Sequence, residues 1–196
     1  MIVFQVPAMM PEHNSLAARI GNFLEQRLSR ELAVLLDTFC YISAEMLERL
    51  GHFKGSDPHE YMQTRLLEFG AAPSFVAETI AQFLKQGIMP SPYAPDVCVV
   101  HEVDYDNRFR VPLWIGEIVS KDSRDYDLYF KAYLYERLGV KEYFVYETGR
   151  RSGKLICVYR LQPETGAFAQ YETISFSGAA VHSQILDVDV PVEWTV

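Results

Sequence analysis

Much is scarce in these 196 residues, and each scarcity removes a class of function. Cysteine occurs three times, at Cys40, Cys98 and Cys157, spaced 58 and 59 residues apart. No pair has metal-finger spacing, and an odd, sparse count argues against a disulfide scaffold and for a reducing, cytoplasmic setting. No apolar run approaches the roughly 18 residues that a membrane span needs. The opening Met1-Ile2-Val3-Phe4-Gln5-Val6-Pro7 lacks a basic region and a long apolar region, so no signal peptide is expected. The histidines His13, His52, His59, His101 and His182 are scattered without His-x-x-x-His spacing, which argues against a histidine metal site. There is no glycine-rich phosphate loop. Ser120 lacks a Gly-x-Ser-x-Gly elbow and reads as a capping or loop residue.

A basic excess is missing too. The net charge is −8. Residues 1–95 carry 7 basic and 10 acidic side chains, 96–160 carry 11 and 11, and 161–196 carry none and 5. A passive nucleic-acid binder draws its affinity from phosphate neutralisation. Here only the middle third could supply a local basic surface, and Lys121 and Arg124 are its candidates for phosphate contact.

What is present is ordinary globular material, 49% hydrophobic and 22% charged, enough for one core and one domain over 1–196. Leu16, Ile20, Phe23, Leu24, Leu28 and Leu32 recur at helical spacing and predict an amphipathic helix from Asn14 to about Leu36. Ala33 to Ile42 is ambiguous between the end of that helix and a buried strand. Three short helices follow over 43–87. Ser43 caps the first, which stops at Gly51. Asp57, Pro58, Glu60 and Gly70 bound the second, and Ser74 opens the third. Pro90, Pro92 and Pro95 then make a linker, so 43–92 reads as a helical insertion.

After Pro95 the period changes. Asp96 to Val103 and Val111 to Val119 read as apolar strands around a polar turn at Asp104 to Asn107, with Gly116 allowing a close approach. Arg124 to Leu138 reads as a helix closed by Gly139, and Glu142 to Glu147 as a third strand. Leu155 to Leu161 and Ala167 to Ile174 read as two more strands. The expected class is α/β with a mixed central β-sheet flanked by helices. Trp114, Tyr143 and Phe144 look like core rather than base-stacking rings.

The residues that carry chemistry lie between Asp96 and Glu142. Asp96 begins one strand and Glu117 lies near the end of the next. If the strands are neighbours, both carboxylates converge at one end of the sheet. Two hard oxygen ligands with room for water suit Mg²⁺ or Mn²⁺ rather than zinc. Asp127, Lys131 and Tyr135 follow at i, i+4 and i+8, along one helix face. Two acids, a metal and an ammonium group are what phosphodiester hydrolysis requires. Singly, each has a plainer reading: a turn aspartate, a solvated glutamate, an exposed i,i+4 ion pair.

Pro95-Asp96-Val97-Cys98-Val99-Val100, Glu117-Ile118-Val119-Ser120, Asp127-x-x-x-Lys131-x-x-x-Tyr135 and Gly139-Val140-x-Glu142-Tyr143 together resemble the Uma-type restriction endonuclease family, part of the PD-(D/E)XK nuclease-like superfamily. The resemblance covers residues 95–162, with a weaker match at Met10-Pro11-Glu12-His13. It implies a restriction-endonuclease-like core and a metal held by Asp96, Glu117 and the backbone carbonyl of Ile118. The superfamily lysine would stand two residues after the acid, where this chain has Val119. The family pattern moves it to the following helix, at Lys131, the residue that spacing also selects. Asp127 and Tyr135 are candidate supporting residues. Glu12 and His13 are the candidates to substitute for the further acid that family members carry ahead of the first helix.

The expected function is therefore Mg²⁺-dependent endonuclease cleavage of nucleic acid, DNA first, by a protein that the resemblance makes a homodimer. The alternative is a catalytically inactive descendant of the nuclease fold that binds DNA or a protein partner.

Overall fold

The computed structural model describes residues 11–41, 46, 58–86, 93–119, 123–149, 152–169 and 179–195. Ser43, Gly51, Asp57, Pro90, Pro92, Ser120 and Lys121, which entered the sequence expectations, lie outside the described residues.

The first apolar stripe forms helix α1, Pro11–Glu25, which is shorter than its periodicity predicts. Leu32 leaves the helical register to start strand β1, Leu32–Leu36. The competing force is pairing: Leu32 to Leu36 run antiparallel to His101 to Val97 of β2, Val97–His101, so the ambiguous apolar run resolves as a strand. Helices α2, Pro58–Glu68, and α3, Pro73–Gln86, occupy the expected places. Gly70, with φ of 92°, turns the chain between them in a conformation that favours glycine.

Beyond β2 a single 3-10 turn, Glu102–Asp104, leads into a loop and then β3, Trp114–Val119. That strand starts three residues later than expected, past Pro112, which has no N–H to give to a ladder. The predicted helix after it is real but irregular. Tyr126–Lys131 forms a π turn, and Ala132–Leu138 continues as α4, closed by Gly139 in the left-handed region. Strands β4, Glu142–Gly149, and β5, Ser152–Arg160, follow. Of the strand expected from Ala167 to Ile174 only 167–169 lie within the described residues, and there Phe168 makes an isolated antiparallel bridge with Leu161. The sequence reading missed β6, Ala180–Ser183, β7, Val188–Pro191, and β8, Glu193–Thr195.

Six strands form one mixed sheet in the order β1-β2-β3-β4-β5-β8, while β6 and β7 pair separately. Among the described strands only β3 and β4 run parallel, and the helical segment Tyr126–Leu138 lies between them in the chain, as a parallel crossover requires. The fold is thus α/β and compatible with a restriction-endonuclease-like core.

Strand alternation sorts side chains to two faces. Val97, Val99, Trp114, Ile118, Phe144 and Tyr146 meet Leu16, Ile20 and Leu24 of α1. Gly116 shares that face, and a Cβ there would lie 2.6 Å from Trp114 Cη2, so the glycine admits the indole ring. On the other face Cys98, Ile115, Val119, Tyr143, Val145 and Tyr159 pack with α4, with Met62 and Leu66 from α2 and with Phe69 just beyond it. The 43–92 block therefore contributes to the main core through α2. Arg65 completes the join from that helix. Its Nε and Nη2 donate to Glu136 of α4 at 3.1 and 2.6 Å, both groups being buried. Glu136 also accepts from the Tyr61 hydroxyl and from the Phe168 N–H, so its carboxylate is fully lodged.

Candidate active site

β2 and β3 stop pairing at Val97 and Gly116, and the candidate residues gather at the gap that opens there. Asp96 precedes β2 directly, and its carboxylate fills the place of the missing strand neighbour: the Ile118 N–H donates to Asp96 Oδ2 at 2.7 Å. N–H and C=O of one residue leave an extended strand on the same edge. The Ile118 carbonyl is therefore presented toward Asp96. Glu117, one residue earlier, points to the opposite face with Val119, toward the helical connection.

There the π turn decides the geometry. A wider turn brings residues four apart closer to one direction than the 3.6-residue turn does. Lys131 Nζ reaches Asp127 Oδ1 and Glu117 Oε2, both at 2.9 Å. Tyr135, one turn on, donates to Glu117 Oε1 at 2.6 Å. The irregular turn is fixed from below, because the hydroxyls of Tyr143 and Tyr159 donate to the carbonyls of Asp127 and Leu128 at 2.7 and 2.6 Å. Asp127 is buried, so the Asp127–Lys131 pair is an interior contact and not the exposed ion pair of the plain reading.

On the far side of Asp96 stands His13, from the first turn of α1, with Nε2 3.2 Å from Asp96 Oδ2. Among the described residues no ion pair or side-chain hydrogen bond joins Glu12 to Asp96 or Glu117. Arg124, expected at phosphate, forms an exposed ion pair with Glu147. One nearby acid escaped the sequence reading. Asp37 follows β1 directly with φ of 45°, and its N–H donates to the Asp96 carbonyl at 3.2 Å. The available signal was an aspartate closing an apolar run, since Asp tolerates this conformation better than most residues.

The electrostatics follow from crowding and burial. Burial pushes Glu117 well above the usual carboxylate range; Lys131 opposes that, and Asp96 and Asp127 reinforce it. Burial would also raise Asp96, but the His13 hydrogen bond, the Lys131 charge and the Ile118 N–H hold it below its ordinary value. His13 is raised because Asp96 outweighs the cost of burying the imidazolium. Burial disfavours the Lys131 ammonium, yet Glu117, Asp127 and Asp96 together keep it charged beyond the ordinary lysine range. The arrangement is a half-buried cation among three carboxylates.

The family model described as putative restriction endonuclease, Uma2, matches residues 74–193. The chain belongs to the Uma2 family. The match begins in α3 and stops at the first residue of β8, so it spans β2 to β7 and contains Asp96, Glu117, Asp127 and Lys131. His13 and Asp37, from α1 and just past β1, lie before it. No curated protein matches the chain.

A restriction-endonuclease description implies a divalent ion, and the donor chemistry at this site fits one. The donors are oxygens: Asp96, Glu117 and the Ile118 carbonyl edge. Among the described residues the hydrogen bonds and ion pairs of Asp96 reach Oδ2, leaving Oδ1 to a ligand. No group of three or more His, Cys, Asp or Glu side chains is arranged to hold a metal among the described residues. Two carboxylates and a carbonyl suit Mg²⁺, which keeps several of its waters, better than an ion that demands a closed protein cage. No described helix is long and apolar enough to cross a membrane.

Proposed function

We propose that this Uma2-family chain hydrolyses phosphodiester bonds of nucleic acid, DNA first, with Mg²⁺ or Mn²⁺ held by Asp96, Glu117 and the Ile118 carbonyl, residues 1–196 acting as one nuclease-like domain. The observation that carries this reading is the convergence of Lys131 from a helix, Glu117 from β3 and Asp96 from before β2 on one gap in the sheet.

The bound ion would supply a polarised phosphoryl oxygen and a water of lowered pKa. The protein's own groups do the rest. His13 and the Ile118 N–H fix the Asp96 carboxylate in orientation. Tyr135 and Lys131 fix that of Glu117. Lys131 keeps its proton through the cycle and places fixed positive charge where negative charge grows on the phosphoryl oxygens. Asp127 holds the ammonium in position.

A second reading, a nuclease fold that binds without cutting, has one observation in its favour. Both oxygens of Glu117 already accept from the protein, at 2.6 Å from Tyr135 and 2.9 Å from Lys131. The deciding experiment is cleavage of single- and double-stranded DNA and RNA with Mg²⁺ and Mn²⁺, wild type beside Glu117→Gln. The nuclease reading expects metal-dependent cutting that the variant loses while its fold persists. Undiminished cutting by the variant sinks the site assignment, and absence of cutting in both supports the binding module.

A further inference from the structure

A nuclease has to hold a polyanion, and this chain has a net charge of −8. Lys131, at the end of β3 beside Glu117, is held among carboxylates, and Arg124 is paired with Glu147. Phosphate neutralisation is then a weak source of affinity. The other source is stacking of bases on aromatic rings, and such rings stand exposed beside the site.

After Asp37 the chain runs on to a bridge between Cys40 and Tyr93. Alternation buries Cys40 and turns its neighbours outward, so that Phe39 is 54% and Tyr41 38% exposed. The Tyr41 N–H donates to the Arg108 carbonyl at 2.8 Å, which brings the 105–113 loop alongside. Phe109, 42% exposed, sets its ring 6.4 Å from that of Tyr41 at 70°. The Arg108 guanidinium lies 5.0 Å over the Phe109 ring, and the Phe109 N–H is tied to Asn107 Oδ1. Three outward rings and one cation are thus rooted by backbone hydrogen bonds.

This surface is continuous with the carboxylates on two sides. Asp37 is bonded through its N–H to the Asp96 carbonyl. Phe39 follows two residues later, at most about 7 Å along the chain, within a nucleotide's reach of a phosphate at Asp96. On the inner side, the Tyr93 hydroxyl donates to the Arg110 carbonyl of the loop, and its ring lies 5.9 Å from Tyr135, the Glu117 partner.

Charge selects among ligands. Glu102 and Asp104 of the 3-10 turn, and Asp106 after it, precede Arg108. They repel a duplex, with two phosphates per step, more than a single strand. An unpaired base also offers a face that a stacked one does not.

We propose that Phe39, Tyr41, Phe109 and Arg108 form a stacking platform for unpaired bases, so that the substrate entering at Asp96 and Glu117 is a single strand or a strand with unpaired bases. The proposal deepens the nuclease reading and rests on it for what occupies the site, but its test reads binding alone.

The test is fluorescence anisotropy of a fluorescein-labelled oligothymidylate, alone and annealed to oligoadenylate, with EDTA present to prevent cutting. The single strand is expected to bind about tenfold or more tighter than the duplex, with a shallow salt dependence. Phe39→Ala and Phe109→Ala should each weaken single-strand binding about tenfold. Phe39→Leu, which keeps apolar cover but loses the ring, should lose most of the same factor. Thermal midpoints confirm that the variants are folded. Equal or tighter duplex binding, absence of binding to either probe, or unchanged affinity in the alanine variants overturns the platform. So does conversion of a sedimenting dimer to monomer with binding intact, because the face is then a contact between copies. Cleavage is measured separately, so a chain that binds through these rings without cutting overturns only the nuclease reading.

Discussion

Lys131 Nζ lies 2.9 Å from Glu117 Oε2 although the two residues belong to different elements, one to the π turn and the other to β3. The ammonium is delivered from a helix onto the acid of a strand whose own next inward position is Val119. Two consequences can be measured.

Removing the cation should harm both stability and chemistry. In Lys131→Met, Glu117 and Asp127 face each other without their shared partner, and breaking such a buried pair costs about 3–5 kcal/mol. Urea denaturation should show that loss. Under conditions where the variant stays folded, cleavage should fall about 10²–10³-fold, the range for removing one preorganised donor. Lys131→Arg should recover most of the stability and less of the activity. A Met variant as stable as wild type would mean that the ammonium is not set among these carboxylates.

Asp96 leads to a prediction about metal. A ligand that binds only the folded chain raises its stability by mass action, by about 2.7 kcal/mol at a hundred times the dissociation constant. The thermal midpoint of the wild type is expected to rise with Mn²⁺. In Asp96→Asn the rise should vanish, while the Ile118 N–H still finds an acceptor in the amide oxygen. An undiminished rise in the variant would place the ion elsewhere.

How far the sequence could be read depends on the range of the interactions involved. Asp96, Glu117 and Lys131 were legible because strand, strand and helix are set by local periodicity, and convergence follows from their order. Asp37 was not, because its approach to Asp96 depends on β1 pairing with β2 across roughly sixty intervening residues. The same long-range pairing ended α1 early. The π turn was invisible because its cause is distant: hydroxyls of Tyr143 and Tyr159 holding carbonyls of residues that otherwise suit an α-helix. Strands β6 to β8 are three or four residues long, too short for a period to register.

The Arg65–Glu136 pair tests whether α2 belongs to the main cooperative unit. Arg65→Ala leaves Glu136 buried with its charge uncompensated, and Glu136→Ala strands the guanidinium. Each should cost about 3–5 kcal/mol in a single unfolding transition. The double variant Arg65→Met with Glu136→Leu keeps the volume apolar and should return close to wild-type stability. Two separate transitions in either single variant would show α2 melting independently of the sheet.

Alkaline pH probes the tyrosines that line both faces. Burial raises Tyr126 to about 12, and Tyr143 and Tyr146 are held above the ordinary tyrosine range for the same reason. In the unfolded chain these hydroxyls ionise near the usual value of about 10. Below that pH both states are neutral and the full stability is present. Above it the unfolded chain releases protons that the folded chain retains, so stability falls as pH climbs toward and past the folded values. The slope is about 1.4 kcal/mol per pH unit for each tyrosine ionised only when unfolded. The raised Lys131 acts in the same direction, since its extra proton affinity is also lost at high pH. Urea midpoints should therefore be flat up to about pH 9.5 and then drop steeply, with ultraviolet titration of the folded protein showing these phenols silent until the fold fails. A folded protein whose tyrosines all titrate near the usual value of about 10 without loss of stability would mean that the hydroxyls holding the π turn are open to solvent, and that the turn is secured by something else.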